Sequence, residues 1–425
     1  MLAPRGPKSI RSGFTLTEIL VVIAIIAILG ALVAAGIFAV IGSQRGSNTQ
    51  NSMRGVWKVL SRQMKFVLDK ADKETVPANV LNNLAGGDAK RARLIWKKLR
   101  LKQEFPMTFA EALAPYNPST YAFVSSPAYP APQPTSPITS SDLPALTDYV
   151  TALKGLIRTS NNTVLSANWY VPANPPQPAV SVGQPFLESS VCLLLALQRN
   201  RGGAVMSPSD LGSAAVALQI KNPTGATISN LSAADIQTLN GSGLKMLIDG
   251  WGTEIAFFRF PTSNDDTSIP LNNNLDAMNP AGPATAATAG TASKFRDPYD
   301  PEGLLVNPSW NTFGNFGTVN QFELYCHLVH FPNVSIYPTS VAASTYNVQP
   351  GGSQPMAGAW SQYMLPTLVS AGPDARWGLN NIFSTSYGGY YAVGVNPDMS
   401  QEPSTAGDSN DNIYSYRLGL DMRGD

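Results

Sequence analysis

From Ile19 to Gln44 the chain carries no charged side chain, and this run constrains what the 425 residues can become more than any other stretch. As a helix rising about 1.5 Å per residue it covers roughly 39 Å, more than the ~30 Å hydrocarbon core of a bilayer. It can span. Ahead of it Arg5, Lys8 and Arg11 are basic and nothing is acidic. The positive-inside rule therefore keeps the N-terminus cytoplasmic and sends residues after about 45 across the membrane. A secretory signal peptide has an apolar segment of only about 7–15 residues followed by a small-residue cleavage site, so this run is too long for one.

A plain uncleaved anchor leaves two features unexplained, the Gly13-Phe14 junction and Glu18. The stretch SGFTLTEILVVIAIIAIL, residues 12–29, resembles the N-terminus of type IV pilins and type II secretion pseudopilins. The resemblance implies that prepilin peptidase cuts after Gly13 on the cytoplasmic side and that the new terminal residue, Phe14, is N-methylated. It also implies that Glu18, the fifth residue of the mature chain, pairs with the terminal amine of a neighbouring subunit. Physical chemistry supports such a role. A carboxylate drawn to the bilayer centre costs of order 2.5–3.5 kcal/mol, so it persists where a partner charge is supplied. Phe14 and Glu18 stand at i and i+4 of one helix, and a neighbour's amine can reach the same carboxylate and set axial register. The alternative for Glu18 is an acid snorkelling to the membrane interface.

Many members of that family carry a proline near the middle of the apolar helix, where this chain has Ala34, Ala35 and Gly36. Glycine costs a helix about 1 kcal/mol, which makes Gly36 a soft point for bending. The small residues Gly30, Ala31, Ala34 and Ala35 equally permit close helix packing.

Past the membrane, Met53, Val56, Trp57, Leu60, Met64, Val67 and Leu68 recur at spacings of three and four. This is the stripe of an amphipathic helix laid on a globular domain, and it predicts one helix of roughly fifty residues from Phe14. The basic segment DAKRARLIWKKLRLKQ is predicted helical, its charges forming a solvated face or one that touches anionic lipid. LPALTDYVTALKGLIR, FLESSVCLLLALQRN and SAADIQTLNGSGLKMLI are further helical candidates; the second is too short to span and reads as buried, and Ser232 is a plausible N-cap of the third. The Pro- and Ser-rich stretches between them read as extended loops.

DGWGTEIAFFRF, residues 249–260, reads as a turn followed by a strand. Major pseudopilins resemble it here, with an Asp-Pro-Trp-Gly-type turn leading into the first strand of a small antiparallel sheet. Asp249, Gly250, Trp251 and Gly252 look like a variant with glycine for proline. FELYCHLVHF is another predicted strand. Cys326, His327 and His330 on it do not make a zinc site, because the two histidines, the only ones in the chain, point to opposite faces of a strand. PTLVSAGPDARWG and GDSNDNIYSYRL resemble the last two strands and intervening loop of major pseudopilins, a loop that in several of them binds calcium. The resemblance places Asp374, Asp408 and Asp411 as candidate Ca²⁺ ligands, oxygen donors suited to a hard cation, with solvated loop acids as the alternative. Cys192 and Cys326 are enough for one bridge outside the reducing cytoplasm, or are two buried thiols.

Charged residues make up only 13% of the chain and the net charge is +1, so nothing points to nucleic acid as a partner. No nucleophile motif accompanies the two histidines and no phosphate-binding glycine loop is present, which leaves catalysis without a candidate. The expected fold is α+β, a long pilin-like hydrophobic helix packed on a small antiparallel sheet, with large helical and loop insertions. The expected organisation is a leader over 1–13, a helix over 14–70 with its membrane span at 19–44, an inserted region over 71–248 and a sheet region over 249–425. The function this implies is a structural, non-enzymatic pseudopilin of a type II secretion pseudopilus, rooted in the inner membrane with its globular part periplasmic. Its partners would be prepilin peptidase, other pilin or pseudopilin subunits and the inner-membrane assembly platform. The alternatives are a minor pilin of a type IV pilus, or a membrane-anchored binding or enzymatic domain with a pilin-like leader.

Overall fold

A computed structural model of the chain describes residues 16–113, 121–123, 132–134, 145–158, 164–171, 182–184, 186–221, 231–259, 300, 302, 304–305, 366–373, 379–380, 398–401 and 413–418. Its first element is one uninterrupted helix, α1 (Leu16–Lys73), 58 residues long. Two compact units divide it: residues 1–47 belong to the first, and Asn48 onward to the second.

In the second unit α1 buries the stripe read from its sequence, Met53, Val56, Trp57, Leu60, Met64, Val67 and Leu68, and adds Thr49, Gln63 and Ala71. Among the described residues five further α-helices follow: α2 (Ala89–Glu104), α3 (Phe109–Leu113), α4 (Ala145–Leu153), α5 (Leu187–Leu197) and α6 (Ala233–Asn240). Their starts obey capping chemistry. Asp88 accepts the Lys90 and Arg91 amides at the head of α2. Ser232 and Asp235 form a reciprocal capping box on α6, as its sequence predicts. The helix α5 is buried on almost every side, the pattern of a central helix rather than a surface one.

Strands pair in short antiparallel units: β1 (Tyr121–Phe123) with β2 (Pro132–Pro134), β3 (Trp169–Val171) with β4 (Val182–Gln184), and β5 (Ala215–Ala217) with β6 (Lys245–Leu247). Among the described residues the largest sheet has β8 (Thr367–Ser370) at its centre, between β7 (Ile255–Phe258) and β11 (Ile413–Tyr414), all antiparallel. Its register sets Ala256 against Val369 and Phe257 against Leu368. One further pair joins β9 (Leu379–Asn380) to β10 (Asp398–Gln401). Both faces of β7 and β8 are buried, and α5 packs against β6 and β7. Ser190 on α5 fixes that contact, its hydroxyl accepting the Leu247 amide at 2.8 Å and donating to the Leu247 carbonyl at 3.0 Å. The architecture is the α+β arrangement expected, a long apolar helix with small antiparallel sheets.

Two expectations are corrected. The Pro-rich stretches are not wholly loop, because each holds one of the short pairs, β1 with β2 and β3 with β4. Extended backbone of this kind is already in strand geometry, and Pro132 and Pro134 lose only donors that a two-stranded edge can spare. The basic helix presents only part of its charge to water: Lys90 is exposed, but four of its seven basic side chains are not. On α2 Arg91, Lys98, Arg100 and Lys102 are all buried, Lys98 at 1% exposure. Carboxylates from other elements make this tolerable: Arg100 Nε lies 3.1 Å from Glu74 and Lys102 Nζ 3.8 Å from Glu111, since a buried charge needs a partner.

Candidate functional site

Glu18 lies in the first turn of α1 and is exposed, where the positive end of the helix dipole favours a carboxylate. From Leu16 to Phe38 every large apolar side chain is at least half exposed, Leu16 at 80% and Phe38 at 74%. Water does not tolerate an apolar surface of this extent; lipid or other apolar helices do. An added Cβ at Gly30 or Gly36 would meet nothing within 4 Å, so no packing within the described chain requires glycine there. The helix is long and apolar enough to cross a bilayer.

Beyond Ser47, α1 is tied into the second unit by buried polar contacts as well as by its apolar stripe. Gln63, fully buried, directs its amide nitrogen at the carbonyls of Leu197, Arg199 and Ala204, at 3.0, 2.9 and 3.0 Å. Its oxygen accepts from Arg201 at 3.0 Å, and Arg201 in turn grips Glu104 through Nε at 3.0 Å and a terminal nitrogen at 2.9 Å. The chain turns sharply here through Gly202 and Gly203, both with positive φ, a backbone that glycine adopts without strain.

The second tie is the turn at Asp249. One carboxylate oxygen of Asp249 accepts the amides of Trp251 and Thr253, both at 2.9 Å, and the other accepts the Ser370 hydroxyl at 2.8 Å. Gly252, at φ +88°, closes the turn. The turn is thereby locked to β8, and its strand β7 starts at Ile255, as the sequence predicts. The amide of Gly250 donates to Thr49 of α1 at 2.8 Å. A proline at position 250 has no N–H to give, so glycine at this point of the turn provides a bond to the long helix.

Glu254, at the start of β7, is 1% exposed, and no described donor reaches either carboxylate oxygen in hydrogen-bond geometry. Burial pushes its carboxyl up to about 7, opposed by the backbone N–H groups of Glu254 and Phe186, raised further by Asp249 and lowered by Lys221. Burial likewise raises Asp249, against the Ser370 hydroxyl and the turn amides. Deeper in the core Glu111 takes a bidentate grip from Arg259, at 2.8 and 3.1 Å, and the Met107 amide at 2.7 Å. Burial lowers the neighbouring Lys102 to about 7, with Glu111 pulling it back up.

Sequence reading found the Ser232 cap and the Asp249 turn. It missed Gln63, Arg201, Glu104 and the Glu111–Arg259 pair, whose partners lie far apart along the chain; the one available signal was a glutamine inside an apolar stripe. Gly13 and Phe14 lie outside the described residues, as do Asp374, Asp408, Asp411, Cys326, His327 and His330. Among the described residues no group of three or more His, Cys, Asp or Glu side chains is placed to hold a metal ion. Cys192 is a buried free thiol of α5, its pKa raised by burial.

Comparison with known families settles the character of the N-terminus. The chain carries a prokaryotic N-terminal methylation motif, spanning residues 8–34. The motif takes in Gly13, Phe14, Glu18 and the first part of the apolar run. It marks a type IV pilin-like chain of the kind that prepilin peptidase processes and that assembles with other pilin subunits, and the apolar helix behind it suits membrane anchoring. No curated protein and no solved structure matches the chain.

Proposed function

We propose that this chain is a structural subunit, a pseudopilin of a type II secretion pseudopilus, and not an enzyme. It would be cut after Gly13, methylated on Phe14 and held in the inner membrane by residues 19–44, with the second unit in the periplasm. Assembly would proceed on the inner-membrane platform, with Glu18 matched to the terminal amine of a neighbour. The observation that carries this reading is the pairing, in one helix, of an uncovered apolar stretch headed by Glu18 with a continuation that is buried in the folded unit. Such a helix leaves its first part for other subunits or lipid while its last part holds the folded unit. The Asp249 turn leading into β7, and its resemblance to the major-pseudopilin turn, favours a pseudopilin over a minor pilin of a type IV pilus. Calcium binding at Asp374, Asp408 and Asp411 rests on that resemblance alone.

The test is Glu18→Ala in the full chain, with mass spectrometry of the mature N-terminus. The expected outcome is N-methyl-phenylalanine at Phe14 in the native chain, normal membrane insertion of the variant, and loss of its assembly into fibres. A working protein still bearing residues 1–13, or a variant that assembles as well as the native chain, overturns the reading.

A further inference from the structure

Glu254 stands at the foot of a hairpin. It pairs with Ile248 in an antiparallel bridge, and the residues between them, Asp249 to Thr253, form the turn. Every amide of that turn is bonded: Asp249 donates to the Thr253 carbonyl at 2.8 Å, Gly252 to the Asp249 carbonyl at 3.2 Å, Trp251 and Thr253 to the Asp249 carboxylate, and Gly250 to Thr49. The tip lies at the surface, with Gly250 exposed and Trp251, Gly252 and Thr253 half-buried, whereas Glu254 just behind it is closed off from water.

Two carboxyl groups of this hairpin are provided for unequally. Asp249 takes the amides of Trp251 and Thr253 and the hydroxyl of Ser370, while neither oxygen of Glu254 takes a hydrogen bond. A buried carboxyl gives up its proton where N–H and O–H groups point at it and keeps it where they do not, so of the two it is Glu254 that holds a proton. The groups that face Glu254 are its own N–H, the Phe186 N–H at the head of α5, the Asp249 carboxylate and Lys221, beyond β5. Lys221 is engaged at the tip, where its Nζ donates to the Gly252 carbonyl. An ionised Glu254 would add a second negative charge beside Asp249 in a site without donors. Inward it meets the packed α5 and β8; outward, only the turn has to give way.

We propose that Glu254 makes this turn a proton-controlled latch on the long helix. With the proton bound, the turn stays closed on Thr49 of α1 and Ser370 of β8. With the proton lost, the turn swings outward, which takes the carboxylate to water and to Lys221 and parts Gly250 from Thr49. In the closed turn burial holds the carboxyl at about 7, against its ordinary 4.5 once it reaches water. Opening therefore becomes easier as pH rises between those values and no easier above the upper one. Thr49 is the first buried residue of α1, so the latch sets how far along the helix the folded unit keeps its hold. The device belongs to the folded unit and does not depend on how the chain assembles.

Hydrogen exchange of the full chain in detergent micelles, read by peptide mass spectrometry and divided by the intrinsic rate at each pH, tests the latch. The amides of residues 249–253 should lose protection on the order of 30-fold between pH 5 and pH 7, with little further loss above pH 8. At pH 7 their protection should lie about tenfold or more below that of α5, and 1 M urea should speed exchange in α5 but not in the turn, the mark of a local opening. Glu254→Gln, neutral at every pH, should keep the turn protected throughout. A native profile without the fall, an equal fall in Glu254→Gln, or turn amides that exchange in step with α5 each overturn the latch. If the variant does not fold, the native profile and its urea response decide.

Discussion

Glu254 is a carboxyl whose position costs free energy at neutral pH. Its usual value of 4.5 rises to about 7 in the folded chain, so between those limits the native state binds the proton that the unfolded state has lost. Stability is therefore fully present below about pH 4.5, declines as pH rises, and reaches its full loss above about 7; the shift corresponds to on the order of 3 kcal/mol. Glu254→Gln removes the titration. Its melting temperature should exceed that of the native chain at pH 8 and converge with it near pH 5, measured by thermal unfolding of each across that range. Equal pH slopes for the two would refute the assignment. Gly250 makes a related point. In the sequence it is only a proline missing from a familiar turn, and the use of its N–H becomes plain once Thr49 is seen to accept it. Nothing local to residue 250 encodes a contact with a helix two hundred positions earlier.

At the scale of elements, α2 separates what periodicity encodes from what it does not. Its existence was legible from its helix-forming residues, and the structure adds the Asp88 cap at its start. The fate of its charges was not, since Glu74 and Glu111, which neutralise Arg100 and Lys102, belong to other segments. The triad of Lys102, Glu111 and Arg259 predicts an asymmetry. Lys102→Met removes a desolvated charge and leaves Arg259 on Glu111, so stability to urea should change little or improve by about 1 kcal/mol. Glu111→Leu strands two buried cations and should cost about 3–5 kcal/mol. Denaturant titration of both variants checks this, and similar losses in the two would contradict it. The same reasoning explains why α5 was readable: a helix apolar all round has one place to go, and no distant partner is needed to say so.

For the whole molecule, the two units have different solvents. All of the large core residues lie at Met53 or later, and the exposed apolar ones cluster before Gly42. A chain beginning at Asn48 should therefore remain folded, monomeric and free of detergent, with cooperative thermal unfolding seen by circular dichroism and one species by light scattering. Aggregation or loss of cooperativity would mean that the first unit supports the second. The apolar helix and the methylation motif at its head were legible, because a contiguous uncharged run and a short motif are local properties. The helices that follow were largely legible too, but the ion pairs hidden between them were not, because long-range pairing of charges leaves no periodic trace. Thr49 and Gln63 stand about four turns apart on one side of the same helix. A fibre under tension would load both anchors in parallel, so that slip of the rod past its domain requires simultaneous rupture of dry, polar rivets and not gradual peeling of a greasy seam.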